Sequence, residues 1–129
     1  MAYDRMKVEV AAPFGETVER VRTALAEQGF GVLTEIDVTA TLRAKLGAEM
    51  EDYLILGACN PPLAHRALET DRSIGLLLPC NVVVRSAGDR TVVQVLDPQS
   101  MVDLTRLEAL KPVADEAAAR LQAALASLA

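Results

Sequence analysis

Basic stripes, aromatic platforms, long apolar runs and a secretory leader are all missing from this sequence, and each absence removes a class of function. The 129 residues carry 13 Lys and Arg against 18 Asp and Glu, a net charge of −5, and the basic residues stand singly. Phosphate neutralisation requires clustered positive charge, so nucleic acid is excluded as a partner. No stretch approaches the roughly 18 apolar residues needed to span a bilayer, and Met1 to Lys7 contains no apolar core of a signal peptide. The expected location is therefore the cytoplasm, without a membrane partner. The only cysteines, Cys59 and Cys80, should be thiols in a reducing compartment rather than a disulfide.

Tryptophan is absent, and Tyr3, Phe14, Phe30 and Tyr53 are the only Tyr and Phe residues, although apolar residues make up 51% of the chain. The core must be built from Ala, Val and Leu, which suits helices laid on a Val-rich sheet. The sequence has no glycine-rich phosphate loop, no Gly-x-Ser-x-Gly elbow and no His-Glu-x-x-His helix. With one histidine, His65, it also gives no sign of a Ser-His-Asp or Cys-His arrangement. Linkers, repeats and low-complexity tracts are lacking, so residues 1–129 form one domain of common size.

The residues that are present alternate between two periodicities. Residues 6–11 alternate as a strand, and Phe14, Val18, Val21 and Leu25 follow helical spacing up to Gly29, a helix-terminating glycine. Residues 30–36 read as a second strand. Asp37 caps a short helix carrying Val38, Leu42 and Leu46, stopped by Gly47. The continuous apolar run Tyr53 to Ala58 predicts a central strand covered on both faces. Asn60-Pro61 then starts a helix whose stripe is Leu63, Ala64, Ala67 and Leu68, ending near Asp71. Residues 74–78 are expected to be extended. Asp97-Pro98 opens a short helix to about Leu104, and a last helix from Lys111-Pro112 buries Val113, Ala117, Leu121, Leu125 and Leu128. The predicted fold is α+β, a two-layer domain with a mixed or antiparallel sheet of about five strands and helices packed on it.

Residues 82–86 and 91–96 flank a turn centred on Gly88 and Asp89, which predicts a hairpin. Its register sets Val84 against Val93, Val82 against Val95 and Cys80 against Asp97 on the core side, with Asn81, Val83, Arg85, Val92, Gln94 and Leu96 on the other. The helix after Asn60 descends roughly 16 Å at 1.5 Å per residue. An extended return would then bring Cys80 back beside Cys59. Cys59, Asn60, Cys80, Asn81 and Asp97 are therefore the candidate ligand-binding residues, gathered at one end of the sheet around a small molecule or anion.

Each has a plain structural role to set beside that one. Capping accounts for Asn60 and Asp97, both of which precede a proline at a helix start. Free cysteines are commonly small buried hydrophobes. His65 lies more than about 100° from the centre of its helix's apolar stripe, which makes it a solvated residue. Leaning back along the helix it would form, with Cys59 and Cys80, an open three-ligand site for zinc or copper, but the spacing matches no common metal motif.

Gly57-Ala58-Cys59-Asn60-Pro61, then Leu78-Pro79-Cys80-Asn81-Val82-Val83-Val84, then Asp97-Pro98, with Gly29-Phe30-Gly31-Val32 upstream, resembles the bacterial and archaeal family catalogued as domain of unknown function 302. The likeness covers about residues 8–128. It implies a small, often self-associating α+β fold and no established reaction. Two functions from different classes follow: a non-enzymatic small-ligand-binding homodimer, or a thiol-based redox or sulfur-handling enzyme or carrier using Cys59 with Cys80 as resolving partner.

Overall fold

The computed structural model describes residues 4–129, in which local sequence signals set most of the element boundaries. Strand β1 (Met6–Val10) leads into helix α1 (Phe14–Glu27), which ends at Gln28 and Gly29. Gly29 has φ +83°, its N–H donates to Ala26 O at 3.0 Å, and Phe30 N donates to Leu25 O at 2.9 Å. That paired closure of the last turn requires a left-handed residue, which glycine supplies without steric cost. After β2 (Gly31–Asp37), Asp37 Oδ1 accepts from Ala40 N at 2.9 Å to start α2 (Val38–Leu46). Thr39 Oγ1 then accepts from Tyr53 N and donates to Glu51 O, tying α2 to β3 (Tyr53–Cys59).

Helix α3 (Pro61–Thr70) follows β3 directly. Residues 72–77 do not return as an extended segment. They form a 3-10 helix, Arg72–Leu77, whose first turn is capped by Asp71 through Ser73 N at 3.1 Å, and whose Ile74 is buried. At about 2 Å of rise per residue this helix still carries the chain back up the sheet. The Leu78–Pro79 peptide is cis, and Pro79 delivers the chain into β4 (Cys80–Ala87). Strand β5 (Arg90–Val95), α4 (Ser100–Thr105), a short 3-10 turn at Glu108–Leu110 and α5 (Lys111–Leu128) complete the fold.

The five strands lie in the order β1-β5-β4-β3-β2, and every neighbouring pair is antiparallel. Val82 pairs with Val95 and Val84 with Val93, so the register read from the hairpin's valines holds. The paired residues end there. One step beyond, Leu96 N donates to Asn81 O at 3.2 Å; Cys80 is paired with Ala58 on the β3 side and is not paired with Asp97 on the β5 side.

Two apolar clusters hold the layers together. In the first, α1 and the C-terminal half of α5 cover one sheet face, where Leu54, Leu56, Val82 and Val84 are buried against Val21 and Leu121. Truncating a side chain such as Leu56, which is 0% exposed, would cost about 2–5 kcal/mol. The second joins α3, the 3-10 helix, α4 and the start of α5 through Leu63, Ile74, Met101, Leu110 and Val113. Helices cover one face of β3, not two. Leu54, Leu56 and Ala58 are buried while Tyr53, Ile55 and Cys59 are half-buried. The continuous apolar run reflects a partly solvated second face whose residues happen to be apolar.

Candidate functional site

A cavity of about 270 Å³ lies where the two clusters meet. The ends of β3 and β4 contribute Ala58, Cys59 and Cys80, with Asn60 at the start of α3. Helix α3 turns the stripe Leu63, Ala64, Ala67 and Leu68 toward it, and α4 and α5 close it with Met101, Val113 and Ala117. Phe30, Leu33, Leu78 and Pro79 complete the wall. Among the described residues, no charged side chain lines it.

Three of the five candidate residues thus converge. Because Cys80 pairs with Ala58, the residue before Cys59, the Cα atoms of the cysteines are separated by no more than roughly 9 Å. The other two candidates go elsewhere. Asn81 is exposed on the open face of the sheet, beside Tyr53, Val83 and Gln94. Asp97 is buried, but its carboxylate accepts from Arg5 Nε at 2.7 Å and from Gln99 N at 2.9 Å, outside the cavity wall. The paired residues of β4 and β5 end at Val82 and Val95, before Cys80 and Asp97.

His65 does not approach the cysteines either. Its side chain is 74% exposed, and Nε2 lies 3.3 Å from Glu69 Oε1 one helical turn along. Among the described residues no group of three or more His, Cys, Asp or Glu side chains is placed to hold a metal ion. The two cysteines are free thiols. Burial, with a smaller contribution from the neighbouring Cys59, pushes the Cys80 thiol up to about 11, so it remains protonated at neutral pH.

The start of α3 is chemically quieter than a helix N-terminus usually is. Four backbone N–H groups normally remain unpaired there and attract anions. Here Pro61 and Pro62 have no N–H at all, Leu63 N donates to Asn60 Oδ1 at 3.2 Å, and Ala64 N donates to Asn60 O at 2.9 Å. The dipeptide Pro61-Pro62 was the sequence signal for half of this; the pairing of the next two N–H groups is seen only in the structure. The wall from Phe30, Leu33, Met101, Val113 and Ala117 had no comparable signal, because the apolar residues of strands and helical stripes give no indication that they border a void.

The sequence profile of the family described as domain of unknown function DUF302 matches residues 6–128. The chain belongs to this family. The crystal structure of an uncharacterised conserved DUF302 protein from Bacillus stearothermophilus superposes with a TM-score of 0.89 at 34% identity, covering 95% of this chain and 96% of that one. No curated protein matches the chain. The DUF302 fold seen here is therefore an antiparallel five-stranded sheet with one helix-covered face, and no helix among the described residues is long and apolar enough to cross a membrane.

Proposed function

We propose that this DUF302 protein is a non-enzymatic binding domain for a small, neutral, largely apolar molecule, and that it works as a homodimer. The observation that carries the first part is the cavity of about 270 Å³, bounded by apolar side chains, two thiols and one amide, with no charged side chain among the described residues of its wall. Concave, mostly apolar sites with few polar groups are how proteins hold small molecules. An anion is served poorly by the same wall, since the α3 N–H groups are absent or already paired. The thiol-based reading, with Cys59 as nucleophile, is served less well still, because Cys80, its resolving partner, has a thiol held near 11 and attacks poorly at neutral pH.

The experiment is a titration of the protein with indole, followed by backbone amide NMR. Shifts concentrated at Ala58, Ala64, Ala67 and Cys80, and abolished by Ala64→Leu, which fills the cavity from α3, are the expected result. Shifts scattered over other surfaces, or unchanged in Ala64→Leu, would overturn the reading.

A further inference from the structure

Among the described residues Leu33 is the one large apolar side chain that lines the cavity and still stands mostly in solvent, 67% exposed. A wall residue so open lies at the rim. The register of β2 accounts for its position, because Val32 stands opposite Ala58 and Thr34 opposite Gly57, two consecutive residues of β3. Leu33 is the extra residue of a β-bulge. Such bulges bend an edge strand and re-aim a side chain that regular alternation would have placed on one face or the other. Both flanking residues are held by packing: Val32 rests on the main core, and Thr34 Oγ1 fills the place where Gly57 would carry a Cβ. A bulge that served only to guard the edge against other strands is best served by a charged or polar residue. This one carries leucine.

We infer that Leu33 is the rim residue of the binding cavity, and that the ligand is an elongated, single-chain molecule whose apolar end fills the cavity and whose chain leaves it against Leu33. The inference rests on the binding reading above and narrows its ligand class. The wall inside is apolar, so a polar end of the ligand is accommodated only beyond the rim, in water. A compact molecule held inside leaves the Leu33 side chain solvated. A chain that passes over it removes apolar surface of both partners from water, and each methylene so covered adds about fourfold to affinity.

The test measures the binding of 1-decanol and of indole, a chain and a compact ring, by calorimetry at low micromolar protein. The full chain is compared with Leu33→Ala, with Leu33→Met, and with Leu46→Ala, which removes an exposed leucine outside the cavity wall. Substitutions at so exposed a position leave the fold intact, so a change in affinity reports on binding. Leu33→Ala is expected to weaken 1-decanol about four- to sixteenfold, one to two methylenes of lost contact, and to leave indole within about twofold. Leu33→Met should restore 1-decanol, and Leu46→Ala should change neither probe. The Leu33 backbone amide should shift in NMR with 1-decanol and not with indole. Unchanged 1-decanol affinity in Leu33→Ala would overturn the inference, and so would equal losses for both probes, which would make Leu33 a general part of the wall. Weaker self-association of Leu33→Ala with unchanged affinities would assign the side chain to a second copy instead and would equally overturn it. Indole binding survives each of these results and keeps the binding reading. If neither probe binds the wild type, that reading fails and this inference fails with it.

Discussion

The side chain that Gly29 lacks would sit on Asn60: a Cβ built there lies 2.9 Å from Asn60 Nδ2. The end of α1 and the start of α3 are thus fitted to each other through a glycine and an amide. Gly29 is required twice, by its φ of +83° and by the space that Asn60 occupies.

Gly47 separates those two requirements. It has φ +66° and open space where a Cβ would be. Gly47→Ala should cost only the left-handed strain, about 1–2 kcal/mol. Gly29→Ala should cost that and more, because Asn60 must move and loosen its hold on Leu63 N. Urea unfolding of both variants measures the difference, and equal losses would show that the Gly29–Asn60 fit contributes nothing.

Gly57 is the most closely approached of the glycines. An added Cβ would collide with Thr34 Oγ1 and lie 2.8 Å from Pro79 Cγ. Gly57→Ala is expected to destabilise by about 3 kcal/mol through overpacking. Combining it with Thr34→Ala should restore part of that loss, a non-additivity expected only of residues in contact. Additive losses in denaturant titrations would contradict the contact.

The Cys80 thiol provides a pH test. Its value in the folded protein, about 11, stands above the ordinary 9.0, so between these values the folded state keeps a proton that the unfolded chain has lost. The stability it contributes is fully present below pH 9 and is lost as pH rises toward about 11. Unfolding midpoints of the wild type should therefore fall between pH 9.0 and about 11 relative to Cys80→Ala, a comparison tied to the same thiol. Alkylation of Cys80 by iodoacetamide, read by mass spectrometry, should accelerate about tenfold per pH unit up to the same region. Fast alkylation at pH 7 in the folded protein would instead favour thiol chemistry.

Self-association is expected at the uncovered parts of the sheet. Strand β2 is an edge, and Leu33 is 67% and Ile36 50% exposed along it. An edge with apolar side chains is a template for a second strand unless it is covered, and an identical copy covers it by two-fold symmetry. Sedimentation at high micromolar concentration should show a dimer, and Ile36→Lys should shift it toward monomer. A wild-type monomer under those conditions would remove this part of the proposal.

How much of this was legible in the sequence depends on the range over which each signal acts. Turn and cap chemistry is local, so Gly29, Asp37, Gly47 and Asn60 marked their helix ends, and the Gly88 turn fixed the valine register of β4 and β5. The family resemblance followed from local motifs in order. Tertiary structure decided what local rules leave open. The 3-10 path of Arg72–Leu77 was set by the capping of Asp71 and the burial of Ile74 where an extended chain was expected. Asp97 left the proposed site because Arg5, 92 positions away in sequence, holds its carboxylate. The cavity exists because two apolar clusters, built from segments distant in the chain, meet without filling the space between them. Periodicity reports which face of an element is apolar; only the packing of faces from different elements determines where that apolar surface closes and where it leaves room for a ligand.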